Sequence, residues 1–321
     1  MLKTLSPGRL AWPRSAAIVG AGTMGLGVAE SWIAAGVTLK LVDASREQTR
    51  LAQGLLAQRV RRHAEAGLVD PALMARVTGL RLPDDIDSAV ADVDLVFEAV
   101  FERIEVKRDV LHTIEASAGS ETLIASNTSS LPIDDLAALL RRPQRFLGMH
   151  WFNPAEWTPG IELIPAQRTD PQALERVRSF LEAIGKRPIV VGSGPGFVAN
   201  RIQLALFREA LACVEDGLAS AEEVDEVVRS CFGFRLPFFG PFQIADMAGL
   251  DVYRQVFDIL ERGLGERFHL PPALAARVEQ GQYGTKSGSG FLSYTAEERE
   301  RLFSERDRCY AALSELLEQL R

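Results

Sequence analysis

The chain holds four histidines, and only His150 combines a strand end with a carboxylate a short loop away. It sits in "LGMHWFNPAEWTPGIELI", and Glu162 follows twelve residues later at the start of a second apolar run, "IELIPA". Two adjacent strands joined by a loop of this length would set the imidazole beside the carboxylate. The carboxylate then fixes the tautomer and raises the basicity of the ring, leaving the other nitrogen to take a proton near neutral pH. Alcohol oxidation needs that chemistry: a base removes the hydroxyl proton while hydride leaves carbon for a nicotinamide. His63 in a basic helical stretch, His112 in an amphipathic helix and His269 in a loop lack such neighbours. Alone, a histidine ending an apolar run also reads as a satisfied core or rim residue, so the elements around it decide.

Those elements begin with "SAAIVGAGTMGLGVAESWIAAGVTLKLVD". A short apolar run suits a buried parallel strand. Gly20, Gly22 and Gly25 then form GxGxxG, apolar residues recur at helical spacing, and a second strand ends in Asp43. In this βαβ pattern the three glycines serve different ends: a tight turn, close backbone approach to a pyrophosphate, and close packing of helix on strand. The helix N-terminus faces the phosphates with free N–H groups and its positive dipole end. Asp43 would accept from the adenosine ribose hydroxyls and repel a 2′-phosphate, which favours NAD over NADP. Taken alone, Asp43 also reads as a solvated turn carboxylate.

The alternation continues through strand candidates at 93–100, 122–127, 145–150, 161–166 and 187–192, with helical stretches at 103–118 and 170–184 between them. This predicts an α/β fold with a Rossmann-type doubly wound sheet, its ligand at the carboxyl ends of the strands. There "EAVFE", "SNTSS" and "MHWFNP" converge. The long helical stretch 45–66 carries Arg59, Arg61, Arg62 and His63, either as a solvated face or as a site for a phosphorylated substrate handle. After residue 193 strand signals fade and amphipathic runs follow at 197–216, 220–232, 241–263 and 271–280. The expected domains are therefore 1–193, binding the dinucleotide, and 194–321, all-helical. A last run from Thr295 places Tyr310, Leu313, Leu317 and Leu320 on one face, to cover its own domain or a partner subunit.

Composition bounds the partners. The chain has 321 residues and a formal charge of −7, which argues against nucleic acid or an anionic membrane as the principal partner and for a small-molecule substrate. Cys213, Cys231 and Cys309 form no CxxC and no His/Cys pairing, so neither a disulfide framework nor a metal site is expected, and a reducing cytosol fits. No apolar run approaches the roughly 20 residues of a spanning helix. Lys3, Arg9 and Arg14 ahead of "AAIVGAG" mimic a signal peptide, a reading set aside because the apolar run belongs to the βαβ unit.

Seven segments in order, GAGTMG, EAVFERIEVK, SNTSSLPI, GMHWFNP, PGFVANR, FGFRLPFFGPFQIADMAGLD and YGTKSGSGF, resemble the L-3-hydroxyacyl-CoA dehydrogenase family from about Ala16 to Tyr294. The resemblance implies an NAD-binding Rossmann domain, a helical C-terminal domain that dimerises, and a homodimer acting on a small molecule, an acyl-CoA or a hydroxy acid. It implies His150 as general base, Glu162 as its partner, Ser129 on the reacting oxygen, Asn200 orienting the substrate carbonyl and Asn153 holding the loop. For the cofactor it implies Gly20, Gly22, Thr23, Met24, Gly25, Asp43, Glu102, Lys107, Asn127 and Lys286. Plainer alternatives stand beside these: Ser129, Asn127 and Asn200 as helix caps, Glu102 and Lys107 as an exposed helical pair.

The chain departs from the family's pattern in "AEWTPG". Glu156 and Trp157 replace small aliphatic residues, and Pro159 stands where the family has a lysine. These changes at the pocket edge bear on what binds. In the basic helix the positions near CoA fall at Arg59 and Ala66, with Arg61 and Arg62 as substitute phosphate partners. The tail beyond Tyr294 resembles that of relatives oxidising free hydroxy acids, the gulonate and pyridine-carboxylate dehydrogenases among them.

Overall fold

The computed structural model describes residues 11–320, so Lys3 and Arg9 lie outside the described residues. The chain divides into two compact units, Met1–Ala205 and Leu206–Arg321.

The first unit is built on seven strands. In chain order its elements are β1 (Ser15–Val19), α1 (Thr23–Ala34), β2 (Thr38–Val42), α2 (Arg46–Glu65), α3 (Leu73–Thr78), α4 (Ile86–Val90), β3 (Leu95–Glu98), α5 (Ile104–Ser117), β4 (Leu123–Ser126), α6 (Ile133–Ala138), β5 (Phe146–Trp151), β6 (Gly160–Pro165), α7 (Pro171–Ala183), β7 (Arg187–Val190) and the start of α8 (Ala199–Glu215). The strand order is β2-β1-β3-β4-β5-β6-β7. Every neighbouring pair is parallel except β5 and β6. The order reverses between β1 and β3, the switch point at which such sheets bind ligands.

Central strands are buried on both faces, which is why "AAIV", "LVF" and "LIA" read as unbroken apolar runs rather than alternating ones. One face packs against α1, α2 and α7 around Trp32, whose ring lies 5.6 Å from Phe97 and 5.4 Å from Phe180. The other packs Leu111, Ile114, Ile133, Leu136 and Phe146. Local chemistry sets the helix starts: Ser45 accepts from the Gln48 amide ahead of α2, and Asp170 from Gln172 ahead of α7, with Pro171 in the first turn.

The second unit takes most of α8, then α9 (Ala221–Ser230), α10 (Pro241–Ala248), α11 (Leu250–Leu264), α12 (Pro272–Glu279) and α13 (Ala296–Gln319). Capping boxes at Ser220/Glu223 and Thr295/Glu298 start α9 and α13. The helical run expected over 241–263 breaks at Gly249 into α10 and α11. Fully buried Asp246 accepts from the Phe291 and Leu292 amides and the Tyr294 hydroxyl, which anchors the "YGTKSGSGF" segment to α10. On α13, Tyr310 packs on Phe234 and Phe239, while Leu316, Leu317 and, just beyond the helix, Leu320 are exposed.

Candidate active site

The βαβ turn is tied together by Asp43. Its Oδ2 accepts from the Ala21 amide at 2.8 Å and its Oδ1 from the Ser45 amide at 3.1 Å. Gly20 has φ 116°, and a Cβ there would run into the Ala99 carbonyl; a Cβ on Gly25 would run into the Gly20 carbonyl. Gly22 differs, because nothing lies within 4 Å of where its Cβ would be. It stands at the start of α1, with no side-chain cap and no acidic residue in the first turn. Thr23 beside it is exposed and Met24 half-buried. The free N–H groups of α1 thus face an open cradle suited to a pyrophosphate.

The next strand ends are knitted by buried charge. Glu98, fully buried, accepts from the Lys107 ammonium at 2.7 Å and the Ser126 hydroxyl at 2.5 Å. Lys107, 1 % exposed, also lies 3.4 Å from Glu102. This corrects the reading of Lys107 and Glu102 as an exposed helical pair: the ammonium turns inward because Glu98 needs a counter-charge. Glu102 accepts from the Thr128 hydroxyl and from the Ser129 and Ser130 amides. Burial alone would raise its carboxyl, but Thr128, Lys107 and the two amides outweigh that and hold it below the ordinary range. Asn127 accepts from the Trp151 amide, which links the ends of β4 and β5. Lys286 belongs to the second unit, where it pairs with Asp251 at 2.8 Å.

His150 and Glu162 are direct partners in the β5–β6 register. The His150 Nδ1 lies 2.9 Å from Glu162 Oε2, and both residues are buried. A carboxylate can only accept, so the proton sits on Nδ1 and Nε2 presents a lone pair. The other carboxylate oxygen, Oε1, accepts from the Val198 and Ala199 amides at 3.1 and 2.9 Å, at the entry to α8. The first turns of α8 belong with the sheet in the compact unit that runs to Ala205. Phe197 turns the two amides inward with φ 48°, a left-handed conformation that costs a non-glycine residue about 1–3 kcal/mol. Its ring and that of Phe152 stand 5.6 and 4.4 Å from the imidazole. The Asn200 Nδ2 donates to the Ser129 carbonyl at 3.0 Å, which brings these two residues together.

The loop between the dyad strands is held at two points. The Arg59 Nη2 lies 2.5 Å from Glu156 and its Nε 3.0 Å from Glu30, while His63 Nδ1 lies 2.6 Å from Glu30. Ligand-type atoms of Glu30, His63 and Glu156 all lie within 4.8 Å of one another, and Arg59 supplies the cation that pairs with both carboxylates. Burial raises the Glu30 carboxyl, with His63 and Arg59 opposing and Glu156 adding to the rise. Trp157 packs edge-on against His63 at 5.1 Å. The Lys186 ammonium, in the connection between α7 and β7, donates to the Ala155, Glu156 and Thr158 carbonyls. Asn153 is exposed, and Arg61 and Arg62 are exposed on α2. Arg59 is therefore paired with two carboxylates, while Arg61 and Arg62 are the exposed cations of this stretch.

Sequence reasoning missed Lys186, the amides of Val198 and Ala199, Glu98 and Glu30. A buried carboxylate inside α1 was the available signal for a cation from a neighbouring helix; a lysine ahead of an edge strand carries none.

Residues 15–194 match the family described as 3-hydroxyacyl-CoA dehydrogenase, NAD binding domain, and residues 196–294 its C-terminal domain. A 5-formyl-3-hydroxy-2-methylpyridine 4-carboxylate 5-dehydrogenase of Mesorhizobium japonicum is 37% identical over 306 residues, covering 95% of this chain and 98% of its own. A probable 3-hydroxybutyryl-CoA dehydrogenase of Bacillus subtilis is 34% identical, over 86% of this chain and 96% of its own. Among solved structures, a 3-hydroxyacyl-CoA dehydrogenase of Archaeoglobus fulgidus superposes with a TM-score of 0.76 at 28% identity, over 95% of this chain and 99% of its own. The chain belongs to the 3-hydroxyacyl-CoA dehydrogenase family. It is an NAD-dependent dehydrogenase, and the open cradle at Gly22 and the α1 N-terminus fit that cofactor. Among the described residues no helix is long and apolar enough to cross a membrane.

Proposed function

We propose that the enzyme interconverts a 3-hydroxyacyl and a 3-ketoacyl group, with His150 as the proton acceptor and Glu162 as its orienting partner. The observation that carries this reading is the buried 2.9 Å contact between them, with the second carboxylate oxygen held by two amides. In the oxidation direction Nε2 of His150 takes the hydroxyl proton. The Nδ1 proton stays on the ring, bonded to Glu162, whose charge stabilises the imidazolium that forms. Ser129 and Asn200, joined through the Ser129 carbonyl, are the candidates to hold the substrate oxygen and carbonyl. Bound NAD supplies the hydride acceptor. The glycine turn and Asp43 would hold it, with Glu102, Lys107 and Asn127 shaping the neighbouring strand ends.

The leading substrate is a coenzyme A thioester, as the family's description implies. A second reading, a free hydroxy acid or related alcohol, is favoured by one specific observation: Arg59 is spent on Glu30 and Glu156. The Mesorhizobium relative, a pyridine-carboxylate dehydrogenase by name, supports it, since a match over 95% of the chain must reach past Tyr294 into α13. A homodimer fits the exposed Phe207, Leu211, Val256 and Ile259 of the second unit.

The test is turnover followed by NADH absorbance, with acetoacetyl-CoA against free 3-hydroxy acids and pyridine-carboxylate alcohols. Turnover of the thioester alone supports the first reading, and of free acids alone the second. His150→Ala should bind NAD and lose turnover; substantial remaining activity overturns the mechanism.

A further inference from the structure

Lys186 lies just ahead of β7 and is 7 % exposed. An ammonium has three N–H donors, and all three have a partner on one short segment: the carbonyls of Ala155 at 2.7 Å, Glu156 at 3.1 Å and Thr158 at 2.9 Å. The Trp151 ring lies 5.1 Å from the nitrogen, and the neighbouring Arg187 amide donates to the Pro159 carbonyl. The segment so held is the connection between β5 and β6. His150 is one residue from the end of β5 and Glu162 two residues into β6, so the loop closes the end of the ladder on which the dyad sits.

We propose that Lys186 is a positioning residue of the dyad: its charged head group holds the 153–159 loop in the one conformation that keeps His150 and Glu162 in register. The proposal rests on the dyad reading above. A neutral amine keeps two donors and turns a lone pair on the third carbonyl, so deprotonation loosens the loop. Burial pulls the ammonium down to about 8, with Glu156 opposing. Glu156, on the loop, is the charged group that bears on it; α2 contributes Arg59, already paired with Glu156, and β5 contributes only the Trp151 ring. Oxidation should therefore fail on the alkaline side near pH 8, whereas uptake of the hydroxyl proton by His150 limits only the acid side.

Two readouts on the full-length protein test this, with Lys186→Met and Lys186→Arg. The first is independent of turnover: the downfield Nδ1 proton resonance of His150, assigned by its loss in His150→Ala. It should be present in the wild type at pH 7, fade above about pH 8, be lost in Lys186→Met and persist to pH 10 in Lys186→Arg. The second is kcat for oxidation of 3-hydroxybutyryl-CoA and of free 3-hydroxybutyrate. Lys186→Met should lose about 10²-fold, the scale of a 1 Å misplacement, and Lys186→Arg should keep most activity at pH 7 without the alkaline limb. An unchanged resonance in Lys186→Met, or a limb that persists in Lys186→Arg, overturns the proposal. A wild type that turns over neither compound while its resonance responds as stated sinks the 3-hydroxyacyl reading and leaves the positioning role standing.

Discussion

The Arg59 guanidinium meets the Glu156 carboxylate at 2.5 Å, so the loop between the two dyad strands is fastened to α2 through a buried ion pair. The same guanidinium serves Glu30, which is wholly buried in α1.

Arg59→Met leaves the buried Glu156 carboxylate without its counter-ion and Glu30 with His63 alone. Breaking a buried pair by removing one partner costs about 3–5 kcal/mol. Urea unfolding should register a loss on that scale, and Arg59→Met with Glu156→Met should lose less than Arg59→Met alone. A single variant within about 1 kcal/mol of the wild type would show that water or movement relieves the charge.

Glu162→Gln keeps the size of the side chain but removes the charge that stabilises the imidazolium. The expected loss in kcat is about 10²–10⁴-fold, with the dissociation constant for NAD unchanged. Fluorescence titration with NADH beside steady-state rates separates the two effects. Weakened cofactor binding with an unaltered kcat would remove Glu162 from the proposed role.

The glycines of the βαβ turn should respond to substitution in opposite ways. Gly25→Ala drives a methyl into the Gly20 carbonyl and should lower the thermal midpoint markedly. Gly22→Val meets no protein atom within 4 Å, so the fold should survive while the pyrophosphate cradle is filled. Its expected effect is a KM for NAD raised about tenfold or more, equal to about 1.4 kcal/mol of binding. A Gly22→Val protein with wild-type KM would place the phosphates elsewhere.

The Lys186 ammonium titrates at about 8 in the folded protein, against 10.5 ordinarily. Between those values the unfolded chain binds more protons, so this group's contribution to stability rises with pH over that window. Its penalty is fully present below pH 8 and relieved by pH 10.5. Compared with Lys186→Arg, which stays charged, the wild type should gain stability between pH 7.5 and 10 even as its oxidation rate falls. Urea midpoints of both proteins at the two pH values check this; a wild type that loses ground to Lys186→Arg contradicts it.

Local sequence determined a good deal. The spacing of Gly20, Gly22, Gly25 and Asp43, and the apolar runs with polar ends at Glu98, Asn127 and His150, specify a doubly wound sheet and a crevice at its strand ends. Such signals are legible because they express backbone geometry: turn chemistry, strand period and helix caps act between near neighbours in the chain.

The tertiary structure decided which charges meet. Nothing local directs Lys107 inward to Glu98, Arg59 to Glu30 and Glu156, or Lys186 under a loop whose carbonyls lie some thirty residues away in sequence. The antiparallel turn of β6 puts Glu162 opposite His150, and the left-handed Phe197 brings two amides to its other oxygen. A buried charge takes whichever counter-ion or donor the packing brings to it, and packing is settled by the whole sheet and its helices. The sequence therefore proposed the candidate residues, while the network of contacts around them was visible only in the fold.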